Sequence, residues 1–407
     1  MESTHQTSTQ PLLLWVSASP PSVGPTTDAT SIEVSSEIAS MGWRVILTAT
    51  GSNGYSRLSN VDVYSFKIPE VYLLRQIIFH YHLYRLTARF WKELDVVIFR
   101  QMSAPWLIPL RLIRTLFNMP KPLFVMDTRT IHMIPKGRET IKDRIRGTAW
   151  KIFEAIGNRW ADGRLSITMR MAQEIGIPTD KLWGVWPSGV KLDLFKSTHS
   201  ARVWPRKGQP VRLIYVGVLN PERNLMELCR AVEKANTELM KFEFWIIGDG
   251  LEREDLQKFA ERTSGRIKVF KTVPHDLIPN LLADSHIGTL PFPDEISFQV
   301  SSPIKLFEYL GAGMPVLATR IVCHTDVIGA EDCVFWAETS DAAGLLSALR
   351  HAWQKHEDLE KMGAISSLIA QQWSWRESAK KLAKALEYGV EKNSLQRSGY
   401  QTKWRIL

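Results

Sequence analysis

Apolar positions in this chain fall in short unbroken blocks separated by segments of helical period. In the carboxyl half the blocks are "RLIYVGV", "FEFWIIG", "RIKVFK", "HIGTLPF" and "MPVLAT". Runs of this kind predict strands buried on both faces. Between them, "NLMELCRAVEKANTELM" and "LEREDLQKFAERT" place apolar residues at helical spacing. The amino half repeats the theme with "PLLLWVSA", "RVILTAT", "VDVYSF", "LDVVIFR", "PLFVMD" and "GRLSIT". Helices are predicted there over "DATSIEVSSEIASMG" and "VYLLRQIIFHYHLYRLTARFWKE". Strands alternating with helices predict parallel sheets covered on both sides, and 407 residues suit two domains.

The best boundary is the Pro-, Ser-, Gly- and basic-rich stretch from "WPSGVKLDLF" to "STHSARVWPRKGQPVR". The expected layout is a flexible tail over 1–9, a Rossmann-like domain over 10–200 and a second over 201–375. An amphipathic helix over 376–392 returns to the first domain, and 393–407 is a flexible tail. Two such doubly wound domains would face each other across a cleft, with ligands at the carboxyl ends of the strands.

Charge adds one asymmetry. Residues 1–200 hold 24 Lys+Arg against 16 Asp+Glu, and 201–407 hold 27 against 26. The basic half calls for an anionic partner such as a membrane face or a polyanionic acceptor. Its helix from Tyr72 sets Arg85, Arg89 and Lys92 on one face, interleaved with Phe79, Tyr81, Tyr84, Phe90 and Trp91. That pattern fits a helix lying on an anionic bilayer. It equally fits a core helix with buried aromatics and solvated arginines. The cations are scattered and no recognition motif accompanies them, so a nucleic-acid partner is not expected.

No apolar run reaches the ~20 residues a membrane span needs, and no secretory signal is read. Cys229, Cys323 and Cys333 cannot all pair and lack metal-ligand spacing, so a cytoplasmic setting is expected, with the inner membrane face as an option.

Candidate chemistry sits in the predicted strand-to-helix loops. In "SSPIKLFEYLGAGMPVLAT", Ser302 is expected to cap a helix with Pro303 as its first residue. Lys305 then stands in the first turn, where a cation is disfavoured until an anion arrives to meet both it and the free N–H groups. Glu308 is one turn deeper, positioned to accept hydrogen bonds from two hydroxyls, as of a ribose. The plain alternative is a solvated Lys–Glu pair. In "YVGVLNPERNLMEL" a strand ends at Gly217 and Arg223 stands at the next helix start, a second place for an anion. "IIGDG" is a strand followed by a tight turn. "FVMDTRTIHM" sets Asp127, Arg129 and His132 after a strand in the amino half.

Together these motifs resemble the retaining, nucleotide-sugar-dependent glycosyltransferases of family 4, which have the GT-B architecture. Also similar are "VFKTVPHDLIPNLLADSHIGTLPFP" and "WPSGVKLDLF". The resemblance spans about 165–390 and is weaker over 10–160. It implies that Glu308 holds the nucleotide ribose, that Arg223 meets the donor diphosphate and that the backbone around Val273 to His275 flanks the base. It places Gly24 in a glycine-rich loop near the acceptor and phosphates, and Ser301 and Ser302 with Lys305 at the diphosphate. Asp127 and Arg129 would face the sugar.

Two positions depart from the family pattern. Val300 stands where the first glutamate of the family's paired-glutamate motif belongs, and Val218 where many members have a diphosphate-binding arginine. The expectation is a subgroup with P-x-K-x-x-E in which Lys305 supplies the missing cation. The implied activity is transfer of a hexose-type sugar from a nucleotide-diphosphate sugar to a glycan or lipid-linked acceptor in polysaccharide or glycoconjugate synthesis. No cofactor or metal is expected. The rivals are a nucleotide-sugar epimerase of the same fold and a catalytically inactive partner subunit.

Overall fold

A computed structural model describes residues 10–18, 28–131 and 140–404. Two compact units divide the chain. The first takes the chain up to Ile131, Ile145–Pro187 and everything from Ser378, while Ser188–Glu377 belong to the second. The chain thus changes unit inside the expected linker, at Pro187, ahead of the boundary read at residue 200.

The first unit is built on eight strands: β1 (Leu12–Trp15), β2 (Arg44–Thr50), β3 (Gly54–Leu58), β4 (Val61–Phe66), β5 (Leu94–Phe99), β6 (Leu123–Thr128), β7 (Gly163–Ser166) and β8 (Leu182–Val185). Their order is β3-β4-β2-β1-β5-β6-β7-β8. Every pair is parallel except β3–β4. The sequence pattern missed β3 because all its residues are exposed and no apolar face marks it. Its turn into β4 uses Ser59 and Asn60, both at positive φ (46° and 66°), the backbone that matches hairpin twist.

Helices α1 (Asp28–Ser40), α2 (Tyr72–Phe90), α3 (Ala104–Leu116) and α4 (Ile141–Trp160) connect these strands. Phe79, Leu83 and Leu86 of α2, Leu107 and Ile108 of α3 and Ile156 of α4 share one apolar cluster with Leu12, Val97 and Phe124 of the sheet. These three helices therefore cover one face of it. Tyr84 Oη of α2 donates to the Trp106 carbonyl of α3 at 2.5 Å, and Trp150 Nε1 of α4 to Met102 Sδ, in the turn Gln101–Ser103 that leads into α3, at 3.0 Å. α2 stops at Phe90, so Lys92 lies beyond it and not on the face expected for it.

The last helix, Trp375–Trp404, runs through Asn393, where the sequence reading expected a frayed tail. Its anchors are polar as well as apolar: Asn393 Nδ2 donates to the Pro120 carbonyl and Lys392 Nζ to that of Asp180. The tail expected over 1–9 lies outside the described residues, as do residues 405–407.

The second unit carries β9 (Val211–Val216), β10 (Phe242–Ile247), β11 (Ile267–Phe270), β12 (Ile287–Leu290), β13 (Val316–Thr319) and β14 (Val334–Ala337). The order is β11-β10-β9-β12-β13-β14, parallel throughout. Only β14 was missing from the sequence expectation. Buried Arg202 fastens the segment before this sheet, donating to the carbonyls of Leu282, Ser285, Ala312 and Gly313. Crossovers leave β9 toward β10 on one side, while β12 lies on its other side, so the sheet reverses its order between β9 and β12. A crevice at such a reversal is where open α/β sheets take ligands.

Candidate functional site

Three loops converge at the carboxyl ends of β9, β11 and β12. The helix Ile304–Gly311 provides Lys305 and Glu308. Its cap differs from the expected one: Pro303 takes the N-cap position and Ile304 starts the helix, making Lys305 the second helical residue. Ser302 Oγ instead accepts the Ser188 N–H at 3.0 Å, and Ser301 Oγ donates to the Phe298 carbonyl at 2.8 Å. Tyr309 holds the helix down, its hydroxyl oxygen accepting the Val216 N–H at 3.2 Å. Its ring lies where a side chain at Gly288 would stand.

Glu308 is buried, and His275 Nε2 lies 3.1 Å from its Oε1. His275 opens the short turn His275–Leu277 after β11. The hydrogen bond to Glu308 raises the imidazole pKa; burial opposes this. His275 thus ties the carboxylate to the backbone stretch Val273–His275 that the sequence reading placed beside a base.

Lys305 packs its terminal methylene against Gly217, the residue that ends β9. A Cβ at Gly217 would collide with Lys305 Cε, and the residue's φ of +154° suits glycine alone. Burial pushes the Lys305 pKa down; Glu308 works against this and the positive charge of Arg223 adds to it. Among the described residues Lys305 forms no ion pair within 4.0 Å. The cation is half-buried, with Glu308 near enough to act on it but not in contact.

Arg223 closes the turn Pro221–Arg223 after β9. Its guanidinium lies 5.5 Å from the Phe292 ring centroid and 5.4 Å from that of Phe298, and its buried Nε has no hydrogen-bond partner among the described residues. Phe292 and Phe298, stacked on each other at 4.7 Å, were missed in the sequence although "PFPDEISF" directly follows β12. Val218 is exposed and Val300 buried, and as valines neither brings charge. The chemistry of the site is that of two underpaired cations, one hydroxyl-accepting carboxylate and glycine-lined backbone.

Asp127 and Arg129 belong to the first unit. Asp127 is the penultimate residue of β6 rather than a loop residue, and it is fully buried. Trp186 Nε1 donates to its Oδ1 at 3.1 Å, and Arg100 Nε lies 4.0 Å from Oδ2. Arg129 is also buried; it stacks 3.6 Å above the Trp186 ring and donates to the Trp186 carbonyl at 2.5 Å. Burial pushes its pKa down to about 9 against the pull of Asp127. Both side chains are thus engaged inside a packed cluster. Gly24 and His132 lie outside the described residues.

Comparison with known proteins agrees with the second unit. Residues 210–355 match the family described as glycosyl transferases group 1. No curated protein matches the chain. Among solved structures, sucrose-phosphate synthase from Thermosynechococcus elongatus superposes with a TM-score of 0.70 at 12% identity, covering 96% of this chain and 100% of that one. The catalytic domain of starch synthase IV from Arabidopsis thaliana, bound to ADP and acarbose, gives 0.69 at 10% identity over 94% and 100%. Anabaena HepE in complex with UDP and glucose gives 0.65 at 14% identity over 92% and 99%. The fold is GT-B: two Rossmann-like units, each on its own sheet.

Proposed function

We propose that this chain is a glycosyltransferase that takes its sugar from a nucleotide-diphosphate sugar. One observation carries the reading: Lys305 and Arg223 hold two inward-facing positive charges, with no ion pair among the described residues, in the loops beside Glu308. A diphosphate supplies the missing charge, and a ribose supplies hydroxyls for Glu308. The match of 210–355 to group 1 glycosyl transferases and the UDP and ADP bound by the structural neighbours support the same donor class.

As the glycosidic bond to the donor breaks, negative charge grows on the departing diphosphate. In this reading Arg223, Lys305 and the N–H groups opening the Ile304–Gly311 helix stabilise it without a metal. Lys305, lying against Gly217, would supply the positive charge that Val218 lacks. The leaving diphosphate accepts the acceptor's proton, so the chain needs no general base of its own. Retention of configuration, a hexose as the transferred sugar, and a glycan or lipid-linked acceptor complete the proposal.

Full-length protein screened with UDP-, ADP- and GDP-sugars by thermal shift tests it. A donor that binds only the folded chain raises the melting temperature by an amount that grows with the logarithm of its concentration over Kd. Release of free nucleoside diphosphate with sugar transfer identifies the enzyme. Interconversion of the nucleotide-sugar without acceptor identifies an epimerase instead, and binding of none of them sinks the reading.

A further inference from the structure

Outward faces of α2, α3 and α4 combine two features that a purely water-exposed surface does not need. Of the large apolar side chains exposed among the described residues, more than half lie between Val71 and Trp160. On α2 they form the stripe Leu73, Ile77 and Tyr81, four residues apart, and on α3 the stripe Leu112, Ile113 and Leu116. Leu73 is 73% exposed and Leu116 80%, so neither stripe packs on the unit itself. On α4, Ile145 and Ile152 continue the pattern.

The second feature is the sign of the charge around them. α2 and α3 contain no acidic residue, and α4 from Ile145 onward contains one, Glu154. Glu154 is spoken for: it accepts hydrogen bonds from buried Arg164 and from Thr128. Arg85, Arg89, Arg146 and Lys151 remain exposed, with no ion pair among the described residues. On α2 the exposed side is apolar in its first half and becomes basic at Arg85 and Arg89. Arg89 leans over the Phe90 ring at 5.3 Å.

We propose that the outward face of the α2–α3–α4 layer docks this protein onto an anionic lipid bilayer. Exposed Leu and Ile enter the headgroup boundary while arginines and Lys151 meet lipid phosphates, a division of labour suited to a surface that lies in the interface. Charge decides against a second copy as the occupant. A two-fold interface brings a patch against itself, and from Ile145 onward this patch would set cations against cations with only the already engaged Glu154 to answer them. The layer is rigid, since all three helices pack through one cluster onto one sheet face, so the apolar stripes are presented together. The proposal deepens the lipid-linked acceptor of the functional reading but takes none of its evidence from the reaction.

Co-sedimentation of the full chain with phosphatidylcholine vesicles, with and without phosphatidylglycerol, tests it. Binding is expected with phosphatidylglycerol only, and to fall as salt is raised. Replacing Arg85 and Arg89 with Gln lowers the partition coefficient roughly fivefold for each charge removed. Replacing Leu73 and Ile77 with Ser lowers it further, while melting temperature and the thermal shift with donor stay unchanged. Those two readouts separate failed docking from failed folding or a failed functional reading. Absence of binding to anionic vesicles at low salt overturns the proposal. Binding that survives both double variants, or a dimer in light scattering that the Leu116→Ser change dissociates, overturns it as well.

Discussion

His275 Nε2 lies 3.1 Å from Glu308 Oε1, joining the turn after β11 to the helix that follows β12. One carboxylate oxygen is thereby fixed by protein, and the other stays available.

That pairing predicts a pH-dependent contribution to stability. The folded-state pKa of His275 is raised above the ordinary value of 6.5, mainly by the hydrogen bond to Glu308. A raised base stabilises fully below its unfolded pKa and loses that contribution as pH rises through the folded value. Wild type should therefore exceed His275→Gln by about 1 kcal/mol near pH 6, with the gap closing above the raised value. Urea melts at both pH values check this; a gap that widens with pH contradicts the geometry.

Burial disfavours the charged form of Lys305, which costs the free protein stability. Lys305→Met should leave the melting temperature unchanged or raise it. The same change should weaken donor binding at least tenfold and lower kcat by about 10²–10³, as for loss of one group stabilising a transition-state anion. Unaltered affinity together with a lower melting temperature would show that the lysine is structural.

Gly217 combines a φ of +154° with close approach of Lys305. Gly217→Ala should cost about 1–3 kcal/mol from backbone strain alone and move the ammonium. Chemical denaturation measures the first effect. The loss of donor-induced thermal shift measures the second.

Asp127 is the carboxylate facing two arginines, buried Arg129 and half-buried Arg100. Asp127→Ala removes the carboxylate from this buried cluster and should destabilise the first unit by about 3–5 kcal/mol. Asp127→Asn keeps the acceptor for Trp186 Nε1 and should show how much of that loss is charge. A folded, stable Asp127→Ala protein lacking turnover would point to a catalytic Asp127 instead.

Much of the fold is legible in the chain because buried parallel strands read as apolar runs. β9 to β13 stand out for that reason. β14, Val334–Ala337, is as apolar and as long as β13, and its pairing with β13 makes it a strand. β3 owes its existence to the primed turn and to β4, not to its own side chains. As candidates, Arg223, Lys305 and Glu308 were legible from residue type and loop position. Phe292 and Phe298 were not, since an aromatic after a strand reads equally well as core.

What the sequence alone determined is the alternation of strand and helix, the two cations and carboxylate at strand-to-helix loops, and the basic bias of the first half. These depend on local period and residue chemistry, which neighbours in sequence suffice to express. Tertiary structure decided which groups meet. It paired His275 with Glu308, set Lys305 over Gly217, turned Ser302 from a helix cap into a partner of Ser188, and consumed Asp127 and Arg129 around Trp186. Those outcomes follow from the strand order and from which polar groups burial leaves without water, and neither quantity exists until the sheets have formed.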